Sequence, residues 1–217
     1  MKQLLLASAA VFAVTAAAPA SAAVVGMRTT GPAPSVLTLS STGLSNGATP
    51  VATLTGGTVY NGDQPFADQP VGSVSSFLAA GPTSGSSATL TFLVTSNFLS
   101  FLWGSPDTYN TLSINSTTGG VTTTDNFTAA GLGFPVTNGA QNFSQYVRFD
   151  GTTAGTRINS VTFSNTPSID AFESANFSIT APVPEPATWA LMLVGFGGIG
   201  FAMRRRKSKV ATSVRFA

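Results

Sequence analysis

Between residues 35 and 180 the chain repeats one pattern: short runs in which apolar side chains occupy every second position and Ser, Thr or another polar residue stands between them. Leu90, Phe92 and Val94 lie between Thr89, Thr91 and Thr95, and Leu99, Phe101 and Trp103 alternate with Ser100 and Leu102. Val147 and Phe149 do the same against Tyr146 and Arg148, as do Val161 and Phe163 against Thr162. Successive side chains of a strand point to opposite faces, so a period of two predicts antiparallel strands with one face turned inward. Strands are expected over residues 36–40, 51–55, 73–78, 88–95, 98–104, 111–114, 121–124, 145–149, 160–164 and 175–180.

Turn residues separate these runs at short intervals: Gly56-Gly57, Gly81-Pro82, Ser96-Asn97, Gly104-Ser105-Pro106, Gly119-Gly120, Gly151 and Asn165-Thr166-Pro167. No segment of the interior shows a 3.6-residue apolar period, which disfavours a helical domain. The expected fold is all-β, an antiparallel β-sandwich of jelly-roll type, with a barrel as the alternative. Residues 23–34 read as an irregular lead-in, 81–87 as a Gly/Ser/Thr loop, and 125–139 as a long, loosely patterned connection. The run Phe98-Leu-Ser-Phe-Leu-Trp-Gly-Ser-Pro-Asp-Thr-Tyr-Asn-Thr-Leu-Ser-Ile114 predicts a tight hairpin with Asp107 bonding its own turn backbone.

Both ends break the pattern. At the start, Lys2 precedes an almost wholly apolar run, Leu4 to Ala18, and Ala20-Ser21-Ala22 has the small-x-small form of a signal peptidase site. Residues 1–22 therefore read as a signal peptide, with signal peptidase and the secretion machinery as partners and Ala23 as the first residue of the mature domain, 23–182. At the other end, 187–203 holds no charged residue, and 17 residues at about 1.5 Å each give a helix of roughly 26 Å, enough to span a thin bilayer. Pro184 and Pro186 suit the entry into a helix beginning near Pro186, with Glu185 at its positive end. Arg204, Arg205, Arg206 and Lys207 follow at once and would be retained on the cytoplasmic side of the inner membrane, leaving 208–217 as a cytoplasmic basic tail and everything before Pro184 outside.

Pro184-Glu185-Pro186-Ala187-Thr188-Trp189-Ala190, a Gly-rich apolar span and an Arg cluster, over 183–207, resemble the PEP-CTERM sorting signal in its Pro-Glu-Pro-x-x-Trp-Ala variant. The resemblance implies recognition by an exosortase, a membrane-embedded cysteine transpeptidase, and temporary anchoring during passage to the surface of a Gram-negative bacterium that makes exopolysaccharide. A plain C-terminal anchor would explain the apolar run and the arginines, but gives no reason for Pro-Glu-Pro to abut the span. The extended shape that two prolines impose is one that a processing cleft grips.

Composition then narrows the chemistry of the domain. Ser and Thr supply about three in ten of residues 23–181. The net positive charge of the whole chain sits in its tail. Residues 23–182 carry Arg28, Arg148 and Arg157 against Asp63, Asp68, Asp107, Asp125, Asp150, Asp170 and Glu173, three against seven, a poor face for nucleic acid. The chain has no Cys and no His, so thiol chemistry, disulfides and the commonest general base are absent.

The remaining carboxylates each stand in a turn or strand-end context, and an enzyme is not expected. No cofactor is expected either; calcium is the ion that Asp and Asn oxygens would suit, but no Asp-x-Asp-x-Asp spacing occurs. Trp103-Gly-Ser-Pro-Asp107-Thr-Tyr109-Asn110, together with Phe172-Glu173, looks like segments of some exosortase-dependent surface proteins of cyanobacteria and proteobacteria. Trp103 and Tyr109 would stack on a sugar while Asp107 and Asn110 bond its hydroxyls; the structural reading makes the same residues a strand end, a turn and a core edge. Two functions stay open: a structural protein of the cell surface or exopolysaccharide matrix, and an extracellular carbohydrate-binding or adhesin module.

Overall fold

The computed structural model describes residues 22–179 and the helix 186–205. Thirteen strands follow in chain order: β1 (Val24–Thr29), β2 (Thr38–Ser40), β3 (Gly43–Asn46), β4 (Thr49–Thr55), β5 (Thr58–Tyr60), β6 (Phe77–Ala80), β7 (Ala88–Phe92), β8 (Phe98–Gly104), β9 (Asn110–Thr118), β10 (Val121–Phe127), β11 (Ser144–Gly151), β12 (Arg157–Asn165) and β13 (Phe172–Ser178). Among the described residues one α-helix, α1, covers Pro186–Arg205.

The strands form two antiparallel sheets, a six-stranded one in the order β1-β11-β8-β13-β6-β5 and a seven-stranded one in the order β10-β9-β12-β7-β4-β3-β2. Their inner faces meet through aromatic rings. Phe163 of β12 packs edge-on to Phe101 of β8, at 5.4 Å between centroids, and to Phe172 of β13, at 5.1 Å. Phe149, Phe163, Phe172, Phe177, Leu90, Leu112, Ile114 and Val161 are fully buried in the same cluster, each such side chain contributing about 1.5–3 kcal/mol. The all-β expectation and the inward alternation of Leu90, Leu99, Phe101 and Trp103 therefore hold, while sheets of six and seven agree with the jelly-roll expectation only at the level of two facing antiparallel sheets.

Several expectations need correction. Residues 24–29 are not a lead-in but an edge strand paired with β11 from Val24↔Gly151 to Thr29↔Tyr146. The strand expected over 73–78 starts only at Phe77, and β10 continues through Asp125 to Phe127 inside the expected connection. Most consequentially, β8 and β9 do not form a hairpin: β8 belongs to the six-stranded sheet and β9 to the seven-stranded one, so residues 105–109 carry the chain from one sheet to the other. Trp103 must face the core from one side and Leu112 from the other, which a hairpin within one sheet would not allow.

The outer faces of the two sheets differ. On the six-stranded sheet the segment 61–76 lies across β8 and β13: Pro70 sits over Gly104, and Asn176 accepts from the Val74 backbone N–H at 2.9 Å and donates to Gly72 O at 2.9 Å. A second apolar cluster, Ala67, Phe77, Ala79, Ala171 and Ala175 with Tyr60 and Phe66, fills the space beneath. As a result every residue of β8 and of β13 is buried. The outer face of the seven-stranded sheet carries no such cover among the described residues.

Candidate functional site

The residues singled out in the sequence, Trp103, Asp107, Tyr109 and Asn110, lie around the crossing between sheets. Trp103 is fully buried, stacked on Phe172 at 4.3 Å between centroids and edge-on to Phe134 at 5.4 Å. Asn110 is fully buried too. Its Oδ1 accepts from the Asp107 backbone N–H at 2.7 Å, and its Nδ2 donates to Asn165 Oδ1 at 3.0 Å. The turn bond expected of the Asp107 side chain is thus made by Asn110 instead.

This overturns the sugar platform. An indole with no exposed face cannot stack on a ligand, and a fully buried amide cannot reach one. Asp107 and Tyr109 remain half-buried at the surface of the crossing, and the Tyr109 hydroxyl donates to Asp170 O at 2.9 Å.

What the crossing assembles is a polar knot that ties three loops. Asp170 accepts from the Thr83 backbone N–H at 3.0 Å and from its hydroxyl, binding the loop after β6 to the loop before β13. Asn165 Nδ2 donates to Ala80 O at 3.0 Å and to Ile169 O at 2.6 Å. Ser105, held at a positive φ of 29°, donates its hydroxyl to Glu173 Oε2 at 2.8 Å. Gly139 packs against the Asp107 carboxylate with φ +70°, a site where any Cβ would fall 2.7 Å from Oδ1.

Glu173 is the least expected member. It is 4 % exposed, and burial pushes its carboxyl up to about 8, against the opposing pull of the Ser105 hydroxyl and of the backbone N–H groups of Glu173 and Asp68; the negative charge of Asp107 adds to the rise. Burial likewise raises Asp107, partly offset by the neighbouring Tyr109 hydroxyl, and burial followed by Asp107 raises the Tyr109 phenol. The sequence singled out Phe172-Glu173 and counted Glu173 among the carboxylates, but gave no sign that it would lie buried beside Ser105. Among the described residues no group of three or more acidic side chains is placed to hold a metal ion.

The remaining sites belong to the two ends. Ala20, Pro184, Glu185, Arg206 and Lys207 lie outside the described residues; Ala22 and Ala23 immediately precede β1. Pro186, Trp189, Ala190, Arg204 and Arg205 fall on α1, which starts at Pro186 as the sequence predicted. The membrane span expected over 187–203 is not shown: among the described residues no helix is long and apolar enough to cross a membrane.

No match to the chain was found among curated proteins or among solved structures. Residues 182–207 match the model of the PEP-CTERM protein-sorting motif. The motif implies an exosortase as processing partner. The chain therefore carries, at its C-terminal end, a PEP-CTERM protein-sorting motif.

Proposed function

We propose that the chain is a structural protein of the cell surface or extracellular matrix, exported, sorted and processed through its tail, and that residues 23–182 are its mature domain. The match of residues 182–207 to the sorting motif carries the reading. Residues 1–22 act as the signal peptide, supported by the start of strand β1 at the buried Val24, just past the small-x-small site. The glycine-rich helix Pro186–Arg205 serves as a transient rather than a permanent membrane attachment, in keeping with its place inside the sorting motif. Arg204 to Lys207 hold its end on the cytoplasmic side.

In this reading the domain is not an enzyme and needs no cofactor. Support comes from Glu173, whose buried carboxyl is engaged by Ser105 and by backbone rather than presented to a substrate. The polar knot around Asp107 and Asp170 is then a device that locks loops, with no metal role.

The test is the intact mass of the protein recovered from the cell surface and the medium, with and without the exosortase. A product beginning at Ala23, ending near Pro186 and lost without the exosortase is expected. Recovery of a product that always retains residues 204–217 would show an ordinary anchored protein and remove the sorting reading.

A further inference from the structure

The middle of the outer face of the seven-stranded sheet is an array of small polar side chains, with Arg157 at its edge in register with Thr117 and Thr122. Residue pairing sets it out in rows. One row runs across all seven strands as Thr124, Asn115, Ser160, Thr91, Thr53, Gly43 and Ser40. The adjacent row crosses five strands as Asn126, Ser113, Thr162, Thr89 and Thr55. No residue of either row is charged or aromatic, and apart from Gly43 every one is at least partly exposed.

Neighbours along the array brace one another. Ser113 donates to Asn126 Oδ1 at 2.7 Å, the Thr89 and Thr162 hydroxyls meet at 2.9 Å, and Thr117 and Thr122 do the same at 2.9 Å. Asn159, the extra residue of the bulge in β12, donates to Asn115 Oδ1 at 3.0 Å and to Thr117 Oγ1 at 2.8 Å. Each hydroxyl so held still has unused donor or acceptor capacity, and its orientation is fixed before any ligand arrives, which lowers the ordering cost of binding.

We infer that this face binds a neutral polysaccharide chain lying across the strands. The inference deepens the reading of the domain as a surface or matrix component and rests on it. Three features select the occupant. Hydroxyls and amides that both donate and accept match the hydroxyls of a sugar, and the two rows hold no cation to pair with an anionic polymer, Arg157 standing at the edge of the face beside Thr117. Strands about 4.8 Å apart repeat the array at close to the axial length of one sugar unit in an extended chain. A second copy of the protein fits less well, because the cores of protein interfaces are rich in aromatic residues, Met and Arg and poor in Ser.

Without an aromatic platform each rung contributes little, so binding grows with the number of rungs engaged at once. Long polymers are therefore retained where short oligosaccharides are not. This places recognition on a different surface from Trp103 to Asn110.

The experiment is co-sedimentation of the purified full chain with amorphous cellulose, cross-linked dextran and agarose, with calcium-free alginate beads as the anionic comparison and glucose oligomers as competitors. Retention on at least one neutral polymer, weak competition by oligomers, and a loss of about tenfold or more in T53V/T91V/S160A with cooperative melting preserved are expected. Val keeps the shape and strand preference of Thr while removing its hydroxyl. If the triple variant does not melt cooperatively, Thr91→Val alone is used, with a loss of at least threefold expected.

Absence of retention on all three neutral polymers, or unchanged retention in a folded variant, overturns the inference. Self-association that the variant abolishes, without polymer retention, overturns it also and assigns the face to a second copy. Because binding is read on purified protein, a failure of sorting in cells leaves this result standing on its own.

Discussion

The Ser105 hydroxyl donates to Glu173 Oε2 at 2.8 Å inside the domain, joining the crossing between the two sheets to the central strand β13. A carboxyl kept there, raised by burial from 4.5 to about 8, prefers its proton in the folded state. Its contribution to stability is complete below the unfolded value near 4.5 and is lost as pH rises through about 8. The melting temperature should therefore fall across that window, and Glu173→Gln should flatten the fall. Thermal denaturation of both proteins at one-unit pH steps checks this; parallel slopes would show that other groups govern the dependence.

Trp103 separates a structural role from a binding one. Removing an indole that stacks on Phe172 and abuts Phe134 leaves a large cavity, so Trp103→Ala should cost about 3–5 kcal/mol. Denaturant melts give the value. The Trp103→Phe variant should lose less, and once folded should retain polysaccharide as the natural chain does.

Asn110 closes the crossing with its amide. Asn110→Ala removes the acceptor for the Asp107 N–H and the donor to Asn165, both in a buried setting. A loss of roughly 1–3 kcal/mol is expected. Asn110→Asp keeps the acceptor but not the donor and places a charge beside Asn165 Oδ1, so it should be no better than alanine.

Gly139 has a narrower tolerance. Its φ of +70° and its contact with the Asp107 carboxylate both oppose a side chain, so Gly139→Ala should destabilise by about 1–2 kcal/mol or more. The double variant with Asp107→Ala should recover part of that loss, and a double-mutant cycle measures how much. Strictly additive effects would mean that backbone strain alone accounts for it.

How much of this was legible in the sequence depended on range. Strands with clean alternation, such as Val161 to Phe163, could be read directly because burial on one face sets their period. Edge strand β1 showed no period, since only Val24 of its six residues is buried. The turn after Trp103 was recognised but its destination was not, because Gly-Ser-Pro-Asp looks the same whichever sheet receives the next strand. Glu173 was singled out, but its burial was not legible for a similar reason: Ser105, 68 positions away, and Asp68 help determine its state. The sorting motif was fully legible because its parts are contiguous.

The described domain ends at Ile179, directly after β13, and β13 has a neighbour on each side, β8 and β6. A pull applied through the tail thus enters the middle of a sheet along the length of a strand. The ladders to β8 and β6 are loaded together in shear and must yield together, whereas a pull on an edge strand such as β1 would unzip its single ladder bond by bond. Any force that reaches the domain through its C-terminal end thus meets the strand best built to resist it.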